Sequence, residues 1–116
     1  MTEQLKALLI DPFNRDVYPI EIDPRNQLSF MYVNIGCTHV EAICTQDGQW
    51  NQRSHARITL YVDEEGAFVR HPGFTHPGLA DVIRGTAIAV GPVNDDGEDT
   101  DITVTTQAML AMIRWE

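Results

Sequence analysis

The sequence predicts an α+β fold of about five or six short, largely antiparallel strands with two helices, in a single domain. Three observations carry this expectation. Ile58, Leu60 and Val62 alternate with Arg57, Thr59 and Tyr61, the period of a half-buried strand. Leu28, Met31, Tyr32 and Ile35 recur at the spacing of one helix face. A chain of 116 residues, 43% apolar and 22% charged, has the size and composition of one globular unit spanning residues 1–116.

Taken in order, Leu5 to Ile10 is an apolar run stopped by the turn Asp11-Pro12-Phe13-Asn14-Arg15, and Val17 to Ile22 reads as the returning strand. Pro19 has no N–H to donate, which places it on an unpaired edge. Asp23 and Pro24 open a helix as cap and first residue, and Gly36 closes it in the left-handed conformation. His39 to Ile43 reads as a strand and Thr45 to Ser54 as a polar loop with Trp50 as its one large apolar residue. After Arg57 to Val62, Asp63-Glu64-Glu65-Gly66 reads as a hairpin turn with positive φ at Gly66. Ala67 to Val69 then begins the return strand. His71 to Gly78 repeats His-Pro-Gly and reads as a structured loop. Val82 to Val90 is expected to be one buried strand, and Thr105 or Thr106 to cap a last helix carrying Met109, Leu110, Met112 and Ile113.

Charge excludes several functions. The formal net charge is −9, and Asp95, Asp96, Glu98, Asp99 and Asp101 crowd one stretch that reads as a solvated loop. An acidic domain repels phosphates, so duplex DNA is not an expected partner. No apolar run reaches the eighteen or so residues of a membrane helix, and the start of the chain lacks a signal-like apolar core, so a cytoplasmic protein without membrane attachment is expected. Cys37 and Cys44 lie ~20 Å apart if the segment between them is extended, which predicts free, buried or half-buried thiols.

Assembled chemistry is hard to find. His71, His76 and Asp81 match no usual ligand spacing, so no metal is expected. Aligning Gly97 with the sixth position of a calcium loop puts Pro92 and Thr103 where carboxylates are required. No Gly-x-Ser-x-Gly and no phosphate-cradling glycine loop occurs, and Cys37 or Cys44 with His39 lacks a third orienting group. No catalytic residue and no cofactor is therefore expected. The arginines stand out: seven of the eight basic residues are arginine. Arg57, Tyr61, Arg70 and Arg84 are the candidate ligand-binding set, with Trp50 and Phe74 nearby, because guanidinium groups grip phosphate and stack on rings. Pairing of Arg70 with Glu64 or Glu65 across a hairpin is the competing structural role.

Lys6-Ala7-Leu8-Leu9-Ile10-Asp11-Pro12, the helix ending at Gly36, Leu60-Tyr61-Val62-Asp63-Glu64-Glu65-Gly66, Val82 to Gly91 and Asp95-Asp96-Gly97-Glu98-Asp99 together resemble an uncharacterised family. Its members are small domains of unknown function carried mainly by bacteriophages and mobile elements. The pattern departs at Gln46 to His55 and in the His-Pro-Gly loop. The resemblance implies an accessory protein and brings no catalytic residues. The leading expectation is a non-enzymatic protein that binds a host protein to modulate host defence. The alternative is binding or sequestering a small anionic ligand such as a nucleotide through the arginine–aromatic patch. A homodimer through the unpaired edge near Pro19 and exposed methionines of the last helix is a further expectation.

Overall fold

The computed structural model describes residues 4–45 and 57–116. The loop expected over residues 45–54 lies outside them except for Thr45, as do Trp50 and Arg53. The described chain forms an α+β domain with two antiparallel sheets. β1 (Leu5–Asp11) and β2 (Asp16–Ile22) form the N-terminal hairpin, in register from Leu5 opposite Ile22 to Asp11 opposite Asp16. With β3 (Val40–Cys44), β4 (Thr59–Asp63) and β7 (Ala87–Val90) they make a five-stranded sheet in the order β2-β1-β7-β4-β3. Pro19 sits on the edge strand β2, where a missing N–H costs nothing. A second sheet, β6-β5-β8, joins Gly73–Thr75 (β5), Ile83–Arg84 (β6) and Arg114–Trp115 (β8). Its two- and three-residue strands bring the number among the described residues to eight.

The large sheet is covered on both faces. Along β1, Leu5 and Ala7 point toward α1 (Gln27–Ile35), while Leu8 and Ile10 point toward the small sheet and α2 (Thr106–Met112). β7 is the middle strand and all four of its residues are buried, as a strand covered on both sides must be. The α1 side contains Ile22, Met31, Ile88 and Val90; the other contains Leu60, Phe74, Ala89, Met109 and Ile113.

The boundaries of α1 follow the local chemistry. The Asp23 carboxylate accepts from the Arg25 N–H at 3.0 Å, a 3₁₀ turn over Pro24–Asn26 leads in, and Gly36 ends the helix at φ 79°. The packed face is rotated from the expected one: Phe30, Met31 and Ile35 meet the sheet, whereas Leu28 is 52% exposed. In α2, Thr105 caps through the Ala108 N–H at 3.1 Å. Met109 is buried and Met112 packs against the core, while Leu110 is exposed. The exposed methionine face invoked for a dimer is therefore not present.

Other expectations are corrected by topology. Ala67 to Val69 is not a return strand, because β4 already pairs with β3 on one side and β7 on the other. A 3₁₀ turn, Gly66–Phe68, takes its place. Gly66 does not adopt positive φ; it is required because a Cβ there would come 3.0 Å from the Arg84 carbonyl oxygen. Val82 to Val90 is two strands. Gly85 at φ 88° turns the chain from the small sheet into the large one. The His-Pro-Gly segment contains β5, with Phe74 fully buried between its partners. Cys44 is exposed instead of half-buried, and Cys37 is partly buried, its thiol pushed up by burial and then by the carboxylate of Asp63.

The acidic stretch has two parts. Asp95, Asp96 and Glu98 are solvated. Asp99 and Asp101 fasten the segment to the body: Asp99 accepts from the Tyr61 hydroxyl at 2.6 Å and from Gln27, and Asp101 accepts from the Lys6 N–H at 2.9 Å. Burial, then the hydrogen bond to Asp99, pushes the Tyr61 phenol upward, so the hydroxyl stays protonated and donates. Tyr61→Phe removes that donor while Gln27 remains. It is expected to cost about 1 kcal/mol, read as a lower urea midpoint at an unchanged slope.

Candidate functional site

Two short pieces of chain, residues 68–71 and β6, build one arginine-lined hollow. The close pass of Gly66 over the Arg84 carbonyl lays the 3₁₀ turn against β6, which delivers Phe68, Val69 and Arg70 beside Arg84. Pairing of Gly73 with Arg84, extended by the Gly85 N–H donating to the Pro72 carbonyl at 2.9 Å, brings His71 to the same place. The Arg84 guanidinium also donates to the His71 carbonyl at 3.4 Å. The result is a concavity of about 460 Å³ lined by Phe68, Val69, Arg70, His71 and Arg84. That volume lies within the usual range for small-ligand sites.

The electrostatics are distinctive because the rest of the chain is acidic. Among the described residues neither Arg70 nor Arg84 forms an ion pair; the pair present is Arg25 with Asp23. The pairing of Arg70 with Glu64 or Glu65 expected from a hairpin does not form, since the hairpin itself does not. On its far side Arg84 borders a second hollow that holds Glu41, Asp63, Glu64 and Asp81. Arg84 therefore lines both hollows.

A third element, the turn between β1 and β2, meets the His71 edge of the hollow. The buried Asp11 carboxylate accepts from the Phe13 N–H at 3.0 Å, the Asn14 N–H at 3.3 Å and the Asn14 side chain at 2.7 Å, which fixes the β1–β2 turn. The turn then sets the Phe13 ring edge-on to His71, with centroids 5.2 Å apart. Phe13 and Phe68 remain 53% and 88% exposed. Folding therefore leaves both rings available for contact.

Of the four residues singled out in the sequence, Arg70 and Arg84 come together. Tyr61 does not join them: it packs on the α1 side of the large sheet and its hydroxyl is committed to Asp99. Arg57 precedes β4 as an exposed residue and does not line the concavity. Phe74 is core, edge-on to Trp115 at 6.4 Å. His71, Phe68 and Phe13 were missed as site residues. Their only signal was an aromatic or imidazole side chain next to turn residues, which by itself predicts nothing.

His76 is a structural residue. It is buried, its Nδ1 accepts from the Gly78 N–H at 2.9 Å, and burial lowers its pKa to about 4, so it is neutral at pH 7. No group of three or more His, Cys, Asp or Glu among the described residues is arranged to hold a metal. A larger groove of about 640 Å³ runs beside β2, lined by Lys6, Pro19, Ile20 and Glu21 and by Ile102, Val104, Thr105 and Thr106. Its single Lys6 and Glu21 offset each other, and it carries no arginine.

The fold and this hollow define a small α+β domain with an arginine-lined surface site. A family model described as a domain of unknown function, DUF3846, matches residues 5–113, and the chain belongs to that family. Neither the curated proteins nor the solved structures contain a match. Among the described residues no helix is long and apolar enough to cross a membrane.

Proposed function

We propose that the chain is a non-catalytic binding domain that takes an anionic group in the hollow between Arg70 and Arg84. The observation that carries this reading is a pair of guanidinium groups, without carboxylate partners among the described residues, lining one concavity on a chain of net charge −9. Two guanidinium groups lining one concavity give it a positive potential that favours an anion. Guanidinium groups suit a phosphoryl or carboxylate group because their N–H donors match its oxygens in pairs. This favours the small-anion reading. A protein contact at the same place is the second reading, supported by the exposed Phe13, Phe68, Val69 and Val82. In either form the domain acts by contact in the host cytoplasm, as an accessory protein of a phage or mobile element.

The test is thermal unfolding with and without pyrophosphate. At 100 times its dissociation constant a ligand adds ~2.7 kcal/mol of stability. Arg70→Ala and Arg84→Ala are expected to abolish the shift, whereas Arg57→Ala and Tyr61→Phe keep it. A shift retained in both of the first two variants would contradict the proposal.

A further inference from the structure

We infer that the ligand of this hollow is a nucleoside phosphate, and that the β1–β2 turn supplies its second wall through Phe13 and Arg15. The inference rests on the anion-binding reading of the same site and adds a substrate class and two residues.

Phe68 lines the hollow, and a second aromatic ring, Phe13, stands against His71 of its lining. Phe68 stands at the end of the 3₁₀ turn and is almost fully exposed; Phe13 arrives from a separate turn and contacts His71 with its ring at 63° to the imidazole. Neither ring contributes to the core. An inorganic anion or a simple carboxylate would make no use of them. A ligand with a phosphoryl group for Arg70 and Arg84 and a flat heterocycle for a phenylalanine face uses all the chemistry present.

Arg15 is the independent sign that the turn is shaped for contact. It sits at φ 52°, the one positive-φ residue other than glycine among the described residues. Glycine or asparagine fills such a position without strain, so an arginine there sacrifices local stability. It lies two residues beyond Phe13, on the turn whose Phe13 ring meets His71. A third cation there matches a ligand with more than one negative charge. Polynucleotides fit poorly, because a chain of net charge −9 repels an extended polyanion beyond the few phosphates the arginines neutralise.

The experiment is calorimetric titration of the full chain with pyrophosphate, with adenosine, with the four common nucleoside diphosphates, and with a 5′-phosphorylated oligonucleotide. At least one nucleoside diphosphate is expected to bind about tenfold more tightly than pyrophosphate, the gain expected from one stacked base. In Phe13→Ala or Phe68→Ala that advantage should vanish, the diphosphate binding no more tightly than pyrophosphate does to the same variant. Arg15→Gly should weaken both ligands while raising the unfolding temperature, which separates lost contact from lost folding. Equal binding of pyrophosphate and all four diphosphates overturns the inference and leaves the anion site standing. No binding of any phosphate overturns both. Adenosine alone binding as tightly as its diphosphate, or the oligonucleotide binding more tightly than every diphosphate, also rejects a nucleoside phosphate as the ligand.

Discussion

Phe74→Ala is expected to destabilise the protein by about 3–5 kcal/mol, the range for emptying a buried phenylalanine site. The ring is fully buried in the main core cluster, its strand pairs with β6 through Ile83 and with β8 through Trp115, and Trp115 meets it edge-on. Alanine would leave a cavity between the two sheets that neither can close, since both backbones are held by ladders. Against a total of roughly 5–15 kcal/mol for a domain of this kind, that loss is a large fraction. Equilibrium urea unfolding measures it directly, with Phe74→Leu as the milder comparison. A loss below about 1 kcal/mol would mean that the small sheet does not stay docked on the large one. The consequence reaches the surface, because β5 follows directly from His71 and pairs with the strand that carries Arg84.

The second large effect is a loss of stability in acid that belongs to His76. An unfolded histidine binds a proton below about pH 6.5, whereas His76 in the folded protein resists it down to about 4 because the buried ring cannot shed charge into solvent. Between those values only the unfolded chain gains the proton, so stability falls as pH drops through this window and levels off below it. The difference amounts to about 3 kcal/mol. His76→Asn should flatten that segment of the curve, because the asparagine side-chain oxygen can take the place of Nδ1 toward the Gly78 N–H without titrating. The absolute stability of the variant will be lower, from the smaller side chain. The measurement is therefore the slope of unfolding free energy against pH, compared between the two proteins. A wild-type slope no steeper than that of the variant between pH 6.5 and 4 would contradict the assignment.

Much of the fold was legible because local chemistry and tertiary role agree. The N-terminal hairpin is announced by its turn and by Pro19, which is tolerable only on an edge. The ends of the first helix are written in Asp23, Pro24 and Gly36. The helix face was less readable: with Leu28, Phe30, Met31, Tyr32 and Ile35 available, more than one apolar stripe can be drawn, and the sheet selects Phe30, Met31 and Ile35. Strand pairing was hidden where elements are short. The turn after Asp63 looked like a hairpin because its composition is that of one, yet the partners of β4 come from residues 40–44 and 87–90. Ala87–Val90 is apolar at every position, a signal of a central strand that was absorbed into a longer run ending at the wrong sheet.

The site was legible in composition and not in position. Arginine enrichment pointed to anions, and Arg70 and Arg84 share the concavity. Alternation says that Tyr61 shares a face with alternate residues of its strand, but parity does not say which layer covers that face. Here α1 and the acidic segment take that side, and Asp99 occupies the Tyr61 hydroxyl. What joins Arg70 to Arg84 is the close pass of Gly66 and the left-handed turn at Gly85. Both depend on pairing between segments too short to show a period.

The most direct measurement is a map of backbone amide shifts on titration with pyrophosphate. Saturable changes are expected at Phe68–His71 and at Arg84 and Gly85, with smaller ones in the turn around Phe13. Changes confined to Arg57 and Tyr61, or to the groove beside β2, or none at millimolar ligand, would contradict an anion site between Arg70 and Arg84.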